Sequence, residues 1–93
     1  MITGTITVEI YLGDVFSLKE KRQIIRSIIA RLRHRFNTSV AEVDRQDDHR
    51  WAVIGIACVA NSTDHVNRQL DRVLDFLGKD GRFSVENIHK EVF

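Results

Sequence analysis

The stretch Trp51–Ala60 (WAVIGIACVA) constrains the fold more than any other part of the chain, because it is uncharged and apolar at nearly every position. A strand of that kind is expected at the centre of a sheet with both faces covered. The uncharged run continues only to Thr63, well short of the roughly 20 apolar residues that a membrane span needs. Ile2–Leu12 follows a different rule. Ile2, Ile6, Val8, Ile10 and Leu12 alternate with Thr3, Thr5, Thr7, Glu9 and Tyr11, the period of two of a strand with one face in the core.

Gly13 and Asp14 interrupt that strand, and Ser17-Leu18-Lys19-Glu20 has the spacing of a capping box, which predicts a helix start. Leu18, Ile25, Ile28, Ile29, Leu32 and Phe36 then fall on one stripe, and Asn37 is the expected left-handed terminator. Ser39–Asp44 reads as a short strand, and Arg45–Arg50 as the exposed turn of a hairpin leading into Trp51–Ala60. Asn61-Ser62-Thr63-Asp64 offers caps for a second helix, with Val66, Leu70, Val73, Leu74 and Leu77 at helical spacing and Gly78 as its stop. Arg82–Phe93 alternates and then slips register near Asn87-Ile88, as an edge strand with a bulge does.

The resulting order, strand-helix-strand-strand-helix-strand, predicts an α+β ferredoxin-like sandwich: a four-stranded antiparallel sheet with two helices on one face and the first and third strands central. At 93 residues and 43% hydrophobic, the chain is expected to form one domain over residues 1–93. Cys58 has no cysteine to pair with and is read as a small core hydrophobe, which suits a reducing cytoplasm. No signal-peptide pattern opens the chain, and a soluble, cytoplasmic, non-membrane protein is expected.

Charge is distributed unevenly. Lys19, Lys21, Arg22, Arg26, Arg31, Arg33 and Arg35 all lie between Ser17 and Asn37, where Glu20 is the only acid, although the whole chain carries a formal +1. That segment alone is about +6, a directed field rather than a diffuse one. On a helical wheel Lys19, Arg22, Arg26 and Arg33 form one stripe beside the apolar face, with Lys21, Arg31 and Arg35 assigned to the opposite shoulder. Such a surface can track phosphates. The same residues also solvate a helix, and Arg31, Arg33 and Arg35 favour its C-terminal dipole with no ligand at all.

The run Ser17-Leu18-Lys19-Glu20-Lys21-Arg22, together with Arg35-Phe36-Asn37 and Ser39-Val40-Ala41-Glu42-Val43-Asp44, resembles the YlxP-like family of small bacterial proteins. The likeness extends over the whole chain, and Lys19, Lys21 and Arg22 match the family's pattern, whereas Trp51 stands apart from its usual aromatic. The resemblance implies a ferredoxin-like fold. Through the neighbouring translation and ribosome-assembly genes, it also implies a role around the small ribosomal subunit.

Two partner readings follow. The first is structured RNA or the small ribosomal subunit, contacted at its phosphates through Lys19, Lys21, Arg22, Arg26 and Arg33, with Arg31 and Arg35 in a second rank. Base stacking is not expected, because Ala52–Val59 offers no aromatic platform. The second is a homodimeric protein-interaction module without nucleic acid. It arises because either Ile54, Ile56 and Cys58 or else Val53, Ala57 and Val59 must lie on the sheet face away from the helices, where a second copy, or Tyr11 and Trp51 of the same chain, would cover them. No enzyme is expected, and neither a cofactor nor a metal. Asp44, Asp47, Asp48 and His49 match neither calcium nor zinc spacing, Glu42 and Asp44 read as strand carboxylates facing solvent or the basic helix, and no GxxxxGK loop occurs.

Overall fold

A computed structural model describes all residues, 1–93. Its elements are β1 (Ile2–Tyr11), α1 (Leu18–Arg35), β2 (Ser39–Asp44), β3 (Trp51–Ala60), α2 (Thr63–Gly78) and β4 (Ser84–Val92). They form one sheet in the order β2-β3-β1-β4, with every neighbouring pair antiparallel. This is the ferredoxin-like α+β sandwich.

Period two decides what is buried. Ile6, Val8 and Ile10 of β1 stand opposite Ile56, Ile54 and Ala52 of β3, and all six join Ile25, Ile28 and Leu32 of α1 and Val66, Leu70, Val73 and Leu77 of α2 in a single core. Cys58 is buried there with its thiol free, and burial raises its pKa above the usual thiol value. The even residues of β3 face the helices. Val53, Ala57 and Val59 therefore occupy the other face, which the chain itself does not fully cover, against the expectation that both faces of β3 are packed: Trp51, Val53, Gly55 and Ala57 are half-buried and Val59 is exposed. At one end of that open face Tyr11 packs on Trp51 with ring centroids 4.8 Å apart, and the Arg45 guanidinium lies over Trp51.

Both helices start where a serine caps them, but neither ends on a left-handed residue. The Ser17 hydroxyl accepts from the Glu20 amide at 3.1 Å, and Ser62 accepts from His65 at 3.2 Å. The Glu20 carboxylate reaches back to the Phe16 amide, one residue before the cap. α1 stops at Arg35 because Phe36 turns extended, while α2 runs through Gly78 with Lys79 still in right-handed geometry. The one positive φ belongs to Arg45, at 58° in the β2–β3 turn. The β4 irregularity falls between Val85 and Asn87, earlier than the sequence suggested, because Glu86 is the extra residue opposite Glu9 and Ile10.

Candidate nucleic-acid interface

α1 positions all seven cations of the basic segment, and the phase of each relative to the buried stripe decides its fate. Lys21 is the exception among them. It sits four, seven and eleven residues before Ile25, Ile28 and Leu32, in the middle of the inward face, and is 0% exposed. Its ammonium donates to the backbone carbonyls of Arg45 at 2.6 Å and Asp48 at 2.5 Å, and pairs with Glu42 Oε2 at 3.0 Å. The last contact is an ion pair rather than an aligned hydrogen bond, since no donor is directed along a lone pair of that oxygen. A buried ammonium with three oxygens around it is compensated. Lys21 therefore cannot serve as a phosphate contact: it is a clasp that joins α1 to β2 and to the hairpin turn.

Lys19, Arg22 and Arg26 point the other way. All three are exposed, and none makes a hydrogen bond or ion pair within the chain. Arg33 continues their stripe, but its guanidinium donates to the Val40 carbonyl of the outer strand β2 at 2.9 Å, so one of its donor groups is committed. On the other shoulder, Arg31 lies 3.7 Å from Asp80 and 5.3 Å from the Phe76 ring centroid. Arg35 lies over both Phe36 and Phe76. These two reach the groove between the helices, where Arg72 of α2 and Lys79 just past its end also line the wall. Charge counting missed Arg72 and Lys79 because α2 mixes acids and bases. The usable signal was phase, since Arg72, Phe76 and Lys79 recur at helical spacing beside the Val66-Leu70-Val73-Leu77 stripe.

Several polar groups of the β2–β3 turn and its surroundings are occupied within the chain. Amides of the β2–β3 turn, chiefly that of Arg50, hold the Asp48 carboxyl below the usual carboxylate range. Arg45 reaches Glu9 and Asp48, and Glu42 is taken by Lys21. No group of three or more His, Cys, Asp or Glu side chains is placed to hold a metal ion, and no helix is long and apolar enough to cross a membrane.

Comparison with known proteins shows the family of the chain. The family model described as "Protein of unknown function (DUF503)" matches residues 3–90. "Uncharacterized protein YlxP" of Bacillus subtilis (strain 168) is 38% identical over 69 residues, which is 74% of this chain and 75% of that protein. With nearly its whole length matched, the capped basic helix included, the chain belongs to the DUF503 family, to which the YlxP-like pattern of its sequence had pointed.

Proposed function

We propose that this protein is a non-enzymatic RNA- or ribosome-associated factor, a small-subunit assembly or translation accessory protein that contacts RNA phosphates through α1. One observation carries the reading: Lys19, Arg22 and Arg26 stand on a single exposed stripe with no internal counter-charge. Arg33 extends the stripe, and Arg31 and Arg35 flank it. Guanidinium and ammonium groups arranged along a rigid helix suit a phosphate backbone read by shape rather than by base identity.

The test reverses Lys19, Arg22 and Arg26 to Glu and follows co-sedimentation with small ribosomal subunits at low salt. Loss of co-sedimentation with intact helical circular dichroism is the expected result, and unchanged co-sedimentation removes α1 from the interface. Binding by the parent chain should weaken steeply with salt, in proportion to the phosphates neutralised.

A homodimeric interaction module is the second reading, favoured by the uncovered sheet face. Val43 and Val59 are 52% and 61% exposed there, although Tyr11 and Trp51 pack together at one end of the face. Sedimentation equilibrium of the isolated chain separates the two readings: a dimer that is insensitive to salt and binds no RNA would replace the first with the second.

A further inference from the structure

The groove between α1 and α2 holds an unbalanced set of charges. Arg31 and Arg35 approach it from α1, Arg72 from α2 and Lys79 from just past its end, and the Phe36–Phe76 pair, edge to face at 5.8 Å, shares the lining. Two acids, Asp75 and Asp80, share the lining, but they do not neutralise it. Asp80 is claimed by Arg82, which donates to its carboxylate at 2.6 and 2.9 Å through the guanidinium and at 3.0 Å through the backbone amide. Its contact with Arg31 is the looser one, at 3.7 Å. Asp75 is in no ion pair.

Like charges normally spread apart on a surface. Here the Phe76 ring gathers two of them, with Arg31 and Arg35 at 5.3 and 5.5 Å from its centroid. Stacking on an aromatic face fixes a guanidinium while leaving its N–H edge unspent. Helix-dipole compensation accounts for Arg35 and Lys79, at or just beyond the C-termini of their helices. It does not account for Arg72 in mid-helix, nor for Arg31 and Arg35 sharing the Phe76 ring in the groove that Arg72 also lines.

We propose that this interhelical groove is a phosphate-binding site, formed by Arg31 and Arg35 facing Arg72 and Lys79 over Phe76, and that it takes a phosphodiester of the RNA that meets the outer stripe of α1. The proposal deepens the RNA reading and rests on it for the source of the phosphate. A backbone held both by the stripe and by the groove would straddle α1, which fixes orientation as well as affinity.

Two measurements test it on the intact chain. In the first, the arginine side-chain Nε–H resonances are followed while inorganic phosphate is added against a chloride control of equal ionic strength. Arg31, Arg35 and Arg72 should saturate at a phosphate concentration about tenfold lower than Arg22 and Arg26. All arginines shifting together, in proportion to concentration, would overturn the site. In the second, Arg72→Gln is compared with the parent for binding a structured RNA hairpin across a salt series. Weaker binding with a salt slope shallower by about one supports the groove as an RNA contact. Unchanged affinity and slope overturn that role while leaving the outer stripe untouched. Saturation by phosphate in a parent chain that retains no RNA would overturn the RNA reading and assign the groove to a free phosphate ester.

Discussion

α2 meets the sheet through Val66, Leu70, Val73 and Leu77, none more than 1% exposed, and lies so close to β1 that a Cβ on Gly4 would collide with Val66. α1 lies toward the other side, over the outer strand β2. There its apolar stripe, Ile25, Ile28 and Leu32, is interrupted by Lys21 and supplemented by the Arg33 contact to Val40. The one helix is seated by apolar area alone. The other is fastened by polar tethers to backbone carbonyls of a strand and a turn, which have no other helix above them. The difference explains why a helix rich in cations can pack at all: Lys21 is spent inward on carbonyls that need donors, Arg33 gives part of its guanidinium to another, and the rest are left outside.

The sharpest way to break this contrast is Lys21→Met. It keeps most of the volume but leaves the Glu42 carboxylate and the Arg45 and Asp48 carbonyls without their donor, at an expected cost of about 3 kcal/mol in urea unfolding. The triple reversal of Lys19, Arg22 and Arg26 should move stability by no more than about 0.5 kcal/mol. Similar losses from the two would erase the distinction between inward and outward cations. Adding Glu42→Leu to Lys21→Met should recover part of the loss, since the orphaned charge goes with it.

Gly4→Ala tests the other seat. A methyl group there must displace Val66 and press on Leu70, whose Cδ1 would be 3.0 Å away, and neither is the loose end of a surface side chain. The expected cost is about 2 kcal/mol, as for other overpacked cores. A parent-like unfolding midpoint would mean that α2 rides on the sheet with slack, and its contrast with α1 would then be one of degree. Smaller again is Ser17→Ala, which removes the hydroxyl that accepts the Glu20 amide at 3.1 Å and should cost about 1 kcal/mol. An unchanged midpoint there would show that the clasp at Lys21, one turn on, holds the helix start without the cap.

How legible these features were follows from what the physics depends on. Element order, the Ser17 cap and the central placement of β1 and β3 rest on local spacing, and they could be read from Ile2–Leu12, Ser17–Glu20 and Trp51–Ala60, while Asn61–Asp64 held the second cap without singling out Ser62. Lys21 was misread because its charge was weighed before its phase: a residue at the same helical angle as Ile25, Ile28 and Leu32 belongs inside, whatever its type. That its partners would be two turn carbonyls and Glu42 depends on contacts more than twenty residues away along the chain, which no local pattern encodes. β3 was assigned two covered faces because Gly55 and Ala57 counted as apolar. Small residues on an open face cost little exposed area, so their presence there does not demand a second layer. The groove cations Arg72 and Lys79 were invisible to a charge tally and visible only to one taken face by face.

The smallest expected effect lies between the two helices. Arg82 hydrogen-bonds the Asp80 carboxylate and holds it below the usual carboxylate range, with further help from the Arg82 amide and from the charges of Arg82 and Arg31, against an opposing push from burial. Asp80 thus links the turn after α2 to α1 through Arg31, while Arg82 itself reaches Ser27 of α1 at 3.1 Å. A carboxyl whose pKa is depressed on folding contributes stability that is fully present above its unfolded pKa of about 3.9. That contribution fades as the pH falls through the lower folded value. Because the Arg82 side chain is 36% exposed, solvent screening keeps the contribution below about 1 kcal/mol. Asp80→Asn should therefore lower the urea midpoint at pH 6, with the gap to the parent closing as the pH drops below about 4. A gap that stays constant with pH would mean that Asp80 acts only as a turn residue, accepting the Arg82 amide. The α1–α2 seam would then be held by the edge-to-face pair of Phe36 and Phe76 and by Arg31 and Arg35 over the Phe76 ring, with no carboxylate link between the helices.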